Sequence, residues 1–329
     1  MSQSDSPRGL AFAIATYVIW GFLPIYMRQM AHIPPAEVIA HRVLWSLPIA
    51  AAVLAARGGL GTINRTLRQP RLVAMAGLTA VLISANWLIY VWAILNGHTI
   101  EAALGYYINP LFSVLLGGLL LGERLKPLQI AAIALAASAV LLLTVSTGGL
   151  PRVALGLTLT WGVYAFCKRR LPLPANEGFT LEVLLLTLPS LFYVIWLGAT
   201  GRGHFGTDPT DTLLLVGCGA ITAVPLLLYA NAAKLVRLST MGILQYITPT
   251  MVFLTAVLVF GEPFTGVSRI AFPMIWAALA LYSVTLVTGR TSRRMPAARV
   301  AAADGSAVMP RPDDAADAAT ANPNRPAQG

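Results

Sequence analysis

The chain has 329 residues, a net charge of +10, and 57% hydrophobic against 11% charged side chains. An average soluble chain carries about 25% charged residues, and a soluble domain of this length leaves about a quarter of its chain's surface in water. An ordinary soluble enzyme and a disordered chain are therefore both excluded, which leaves an all-α polytopic membrane protein with the lipid bilayer as its first partner.

A spanning helix needs about 20 mostly apolar residues, and the chain offers ten such stretches: 10–28, 36–56, 72–95, 99–121, 127–147, 152–167, 181–199, 212–232, 238–260 and 266–288. The first holds Trp20-Gly21. It is too long for a signal-peptide core and no A-x-A-like site follows it, so it reads as a retained span. The second places Glu37, His41 and Trp45 on one helical face and buries Arg42 about 9 Å below its start. A charge at that depth is costly unless paired or wet. Glu101 is the first candidate partner and Glu37 the second, and Arg42 is read either as half of a structural ion pair or as an anion anchor facing a cavity. His41 titrates near physiological pH in its ordinary state, which makes it a candidate proton site.

The third span holds Asn86, Trp87 and Tyr90, spaced to share one face, and Trp92 nearer the outer interface as a belt residue. The fourth carries Glu101 at its outer end, then Tyr106, Asn109 and Pro110, with Gly118 and Gly122 at a spacing that favours close helix packing. Pro110 frees the carbonyl of Tyr106 in mid-helix. The sixth span, the shortest, holds Trp161-Gly162, and the ninth holds Gln245, Tyr246, Thr248 and Pro249. Freed backbone at membrane depth is tolerated only inside protein or along a wet cavity, so Pro110 and Pro249 predict two kinked helices lining a central path, with Tyr106, Asn109, Gln245 and Tyr246 offering polar contacts. Cys167 and Cys218 lie in or beside apolar runs and read as small buried hydrophobes.

The basic residues settle orientation. With the N-terminus inside, the inner segments hold 15 Lys and Arg residues, among them Arg57, Arg65, Arg68, Arg71, Lys168, Arg169 and Arg170. The outer loops hold 4: Arg28, Arg152, Arg202 and Arg269. That asymmetry predicts both termini in the cytoplasm and an even number of spans. Scattering in small groups between apolar runs also argues against a nucleic-acid partner, which needs one basic face.

The chain also repeats itself. Tyr107-Ile108-Asn109-Pro110 and Gly122-Glu123 recur 139 residues later as Tyr246-Ile247-Thr248-Pro249 and Gly261-Glu262, and Tyr90 meets Tyr229 at the same offset. Trp20-Gly21 recurs as Trp161-Gly162 after 141 residues. Five spans per half is an odd number, so the second half enters the membrane inverted, as in many secondary transporters. The expected organisation is a cytoplasmic N-terminus at 1–9, a first five-helix repeat at 10–147, a second at 152–288, and a disordered, Ala- and Pro-rich cytoplasmic tail at 290–329.

No G-x-S-x-G elbow, Walker loop, H-E-x-x-H or Cys/His cluster occurs. No catalytic residue, metal or cofactor is therefore expected, and the chain is read as a non-enzyme. These residues together resemble the EamA group of the drug/metabolite transporter superfamily over about residues 8–290. More narrowly, His41-Arg42-Val43-Leu44-Trp45-Ser46, Asn86-Trp87, the run from Leu104 to Leu111, and Gln245 to Thr250 are similar to its RarD branch. The resemblance implies a ten-helix permease of the bacterial inner membrane, and RarD-like proteins are described as chloramphenicol-sensitivity permeases. Thr248 stands where the first half has Asn109, so the half-sites are chemically unequal, and the tail beyond about Arg294 has no counterpart. The expected function is secondary transport of a small organic metabolite or drug by alternating access, either coupled to protons or running downhill. The other reading is a non-transporting membrane protein, such as a lipid-modifying enzyme or a signalling scaffold. Substrate, direction and oligomeric state are not legible.

Overall fold

The computed structural model describes residues 6–121, 125–236, 238–264 and 266–288. Gly122-Glu123 and the expected tail from 290 lie outside the described residues. The described residues up to Leu286 form one compact unit. Its helices are α1 (Pro7–Arg28), α2 (Pro35–Ala56), α3 (Leu60–Leu67), α4 (Pro70–Leu95), α5 (Thr99–Leu121), α6 (Pro127–Thr147), α7 (Arg152–Arg170), α8 (Ala175–Ala199), α9 (Pro209–Leu235), α10 (Leu238–Leu244), α11 (Ile247–Leu254) and α12 (Ser268–Thr288), with a π-helical turn at Thr255–Val259. No strand occurs among the described residues. Five helices, α1, α2, α4, α6 and α9, begin on a proline. A proline there has its φ already set for helix, and its missing N–H is one the first turn leaves unpaired anyway.

Among the described residues, eight helical stretches are long and apolar enough to cross a membrane: α1, α2, α4, α5, α6, α8, α9, and residues Thr240–Val259, which take in most of α10 and all of α11 and the π turn. Ser268–Val284 of α12 is a further apolar helical stretch among the described residues. α7 carries Arg152, Lys168, Arg169 and Arg170 at its ends, which dilutes its apolar run. Two boundaries differ from expectation. α8 starts at Ala175 rather than 181, because its first turn is built from polar residues; Glu177 there suits the positive end of the helix dipole. α3 was not foreseen. Its Leu60, Ile63 and Leu67 are diluted by Gly, Asn and Arg, and at eight residues it spans only about 12 Å.

The helices that carry Pro110 and Pro249 differ in continuity. α5 runs as one helix through Pro110. In the second segment the helix stops at Leu244, turns through Gln245 and Tyr246, and restarts ahead of Pro249. α1 braces that break on both sides: the Tyr17 hydroxyl donates to the Met241 carbonyl at 3.2 Å, and the Thr248 hydroxyl donates to the Tyr17 carbonyl at 2.9 Å. A proline alone weakens a helix; the hydrogen bonds to a neighbouring helix hold the two pieces apart.

The helices pair in a pattern that survives exchange of the two segments. α1 packs on α9 and α7 on α4; α2 on α9 and α8 on α4; α5 on α7 and α11 on α1. Two further pairs, α2 with α8 and α5 with α11, map onto themselves, while the smaller α1–α4 pair has no counterpart of its own size. The Trp-Gly motifs sit in this pattern. A Cβ on Gly21 would meet Met251 Sδ at 2.6 Å, and one on Gly162 would collide with the Phe112 ring. Phe112 and Met251 each lie two residues after the mid-helix proline and 139 residues apart. Each Trp-Gly glycine is thus the seat of a side chain from the other segment's proline helix.

The two ends of the bundle are packed differently. At the end carrying residues 29–34 and 200–208, one continuous apolar core joins α1, α2, α4, α5, α7 and α9 around Met27, Met30, Ile94, Leu157 and Leu215. Toward the opposite end the core falls into separate clusters, while a further one runs along α5, α6, α11 and α12 around Tyr107, Ala136 and Phe272. Ala13, Tyr17, Val236 and Met241 form one cluster, and Leu54, Ile63, Leu171 and Leu181 another. Outward faces stay apolar, as at Leu188, Phe192 and Ile195 of α8.

Candidate functional site

A cavity in the middle of the bundle offers about 170 Å³ to the centres of water-sized molecules. Its walls come from α1, α2, α4, α5, α7, α8 and α9 and from the break between α10 and α11. α2 brings Arg42; α4 brings Asn86, Trp87 and Tyr90; α5 brings Tyr106 and Asn109; the break brings Gln245, and the start of α11 brings Thr248 and Pro249.

Arg42 is 4% exposed. Its Nε donates to Thr222 Oγ1 at 3.1 Å, and its guanidinium lies 4.7 Å from the centre of the Trp87 ring. The Thr222 hydroxyl proton is already given to the Cys218 carbonyl at 2.7 Å, so Thr222 meets Arg42 as a neutral acceptor. Nη1 has no hydrogen-bond partner. Neither expected carboxylate reaches it. Glu37, 1% exposed, accepts from the His204 backbone N–H at 2.7 Å and pairs with His204 Nδ1 at 2.9 Å. Glu101 pairs with His98 at 3.2 Å and accepts from the Val153 N–H at 3.3 Å. Both acids are taken by loops and helix starts at one end of the bundle, which corrects the expected Arg42–Glu101 and Arg42–Glu37 pairs.

Asn86 lines the cavity, but its polar atoms are occupied. Nδ2 donates to the Leu157 carbonyl at 3.1 Å and to Thr160 Oγ1 at 2.9 Å, and Oδ1 accepts from the Tyr106 hydroxyl at 3.4 Å. It ties α4 to α7 and sets the Tyr106 ring, which stands 5.6 Å from Tyr90. Asn109 differs: it is buried and its Oδ1 has no partner.

Five of the other expected residues stand outside the cavity lining, together with Pro110. Besides Glu37 and Glu101, these are His41, Trp45 and Tyr246. His41 stacks on Phe205 at 4.8 Å and accepts from Trp45 Nε1 at 3.2 Å. Near them His32 pairs with Asp211 at 2.9 Å. Asp208, in the same loop, accepts from the Asp211 and Thr210 backbone N–H groups, which hold its carboxyl below the usual carboxylate range. This region stitches the 200–208 loop onto α2 and α9.

Sequence reasoning missed Glu182 of α8. It is 1% exposed, lines the cavity, takes an ion pair from Lys168 Nζ at 2.6 Å, and accepts from the Tyr164 hydroxyl at 3.4 Å. The signal was present: Glu182 lies 140 residues after Arg42, within the spread of the repeat offsets. Trp20 and Trp161, noticed only as repeat markers, also line the cavity, along with Tyr17 and Tyr164. Glu262, likewise a repeat marker, accepts from the backbone N–H groups of Thr99 and Ile100, both at 2.8 Å. It satisfies two of the donors that open α5 and places negative charge at that helix's positive end.

A family model described as the EamA-like transporter family matches this chain twice, over residues 7–145 and 152–284. An uncharacterized transporter of Vibrio cholerae is 40% identical over 89% of this chain and 97% of its own length. Protein RarD of Salmonella typhi is 36% identical over 86% and 96%. The chloramphenicol-sensitive protein RarD of Pseudomonas aeruginosa is 34% identical over 88% and 96%. A solved crystal structure matches over 89% of this chain and 100% of the other at a TM-score of 0.57 and 22% identity, a likeness of fold.

Proposed function

The chain belongs to the EamA-like transporter family and is a multi-pass membrane protein; from that premise we propose that it is a secondary transporter of a small organic metabolite or drug. It works by alternating access of two inverted five-helix repeats, 10–147 and 152–288, which together make ten spans. Both termini lie in the cytoplasm, at the inner membrane of a bacterium. The observation that carries this reading is the central cavity, walled by helices of both repeats and lined by Arg42, Tyr106, Asn109 and Gln245.

Three features support the inversion. Helix pairings come in exchange-related sets. Met251 seats on Gly21 as Phe112 seats on Gly162. Arg42 and Glu182 hold corresponding places on α2 and α8. The uneven ends support a direction: the continuous core near residues 29–34 closes the outer side, and the split core leaves the cytoplasmic side poised to open. His41 is packed on Phe205 outside the cavity lining, which speaks against a proton role for it.

Purified protein in proteoliposomes, screened for metabolite and drug flux with and without a proton gradient, tests the proposal. Saturable flux lost on Asn109→Leu is expected. Absence of flux across the screen, with cysteines placed at 109 and 248 unreachable by water-soluble thiol reagents, would remove it.

A further inference from the structure

The cavity holds an uncompensated positive charge. Among the described residues the side chains lining it include one base, Arg42, and one acid, Glu182. Glu182 is already neutralised by Lys168 at 2.6 Å. Arg42 is 4% exposed, has a neutral hydroxyl and an indole face for company, and leaves Nη1 unpaired. A buried guanidinium without a counter-charge is costly, and an indole face offsets only a small part of that. A planar fork of N–H donors matches a carboxylate better than any neutral group. Trp87 lies against Arg42, and Trp20 and Trp161 line the same cavity.

We propose that the cavity's cargo is a small organic monoanion, a carboxylate on an aromatic or other apolar body, whose charged group docks on Arg42. This rests on the transporter reading for its biological meaning, but the site itself is defined by equilibrium binding. Anion and base would form the ion pair that Arg42 lacks, and the cavity would then be neutral overall.

The test uses three probes of matched shape and different charge: phenylacetate, phenylacetamide and phenethylamine. Each is titrated at neutral pH into the full-length protein in lipid nanodiscs, read by tryptophan fluorescence. Phenylacetate should bind at least about tenfold more tightly than the amide, the size expected for a charge-assisted hydrogen bond, and the amine more weakly still. Arg42→Gln should abolish that preference, and Arg42→Lys should keep part of it. Equal binding of acid and amide to the unaltered protein, tighter binding of the amine, no binding by any probe, or a preference that survives Arg42→Gln would each overturn the proposal. The comparison on unaltered protein holds if Arg42→Gln fails to fold. Anion-selective binding with no flux in proteoliposomes leaves the anion site standing and removes the transporter reading. Flux of amide and amine as fast as the acid does the reverse.

Discussion

α2 and α8 are the second long helices of their segments, and they carry opposite charges at corresponding positions. Glu182 on α8 has a cation at 2.6 Å and a tyrosine hydroxyl at 3.4 Å. Arg42 on α2 has neutral company and an unpaired nitrogen. A buried charge that is fully partnered behaves as part of the frame, and removing one member strands the other. A buried charge without a partner makes the empty protein less stable than it need be.

That contrast can be broken by substitution. Glu182→Leu leaves Lys168 stranded and should cost about 3 kcal/mol of stability, the scale for breaking a buried pair; Lys168→Met beside it should restore most of the loss in a thermal melt in detergent. Arg42→Met should leave the melting temperature unchanged or higher while transport falls. If Arg42→Met melts as low as Glu182→Leu, the two sites are alike and the contrast is void.

The glycine seats sharpen the same comparison at a smaller scale. Overpacking typically costs about 1–3 kcal/mol. Gly162→Val meets the rigid ring of Phe112 and should fall at the upper end, whereas Gly21→Val meets the flexible Met251 and should fall at the lower. Phe112→Leu should rescue the first.

The proline helices come next. Pro110→Ala should raise the melting temperature, since α5 is already continuous and gains a backbone bond. Pro249→Ala should change it little, because Tyr17 holds the break open from α1, while slowing flux severalfold in proteoliposomes.

The smallest effect concerns the starts of the third long helices. α9 is capped by Asp208, and α4 has no side-chain cap at Gln69. Asp208→Ala should lower the melting temperature slightly at neutral pH. The carboxyl titrates below its ordinary range in the folded protein, so its contribution is full above that range and fades as pH falls through the folded-state value. The difference between variant and parent should close in acid.

Much of this was legible in the sequence. Span lengths follow from apolar runs, and the residues that line the cavity were found wherever the repeat or a polar side chain at depth marked them, as with Arg42, Asn86 and Gln245. The misses share a cause. Arg42's surroundings depend on which helices meet across the segment boundary, and no local pattern encodes that Thr222 rather than Glu101 reaches it. The break before Pro249 depends on Tyr17, more than two hundred residues away. Glu182 was passed over because it stands at the polar start of its apolar run, where a carboxylate reads as a solvated end. α3 fell below the length at which periodicity speaks.

Arg42 has one more consequence, and it is electrical. Its charge is fixed to a helix, so a carboxylate docking there adds a charge that can move while the base does not. In a cell whose interior is negative, a departing monoanion runs down the voltage, by about 2.3 kcal/mol per charge for each 100 mV. An exporter built on the proposed carboxylate site would need no separate fuel to push its cargo outward; the membrane potential would supply the bias.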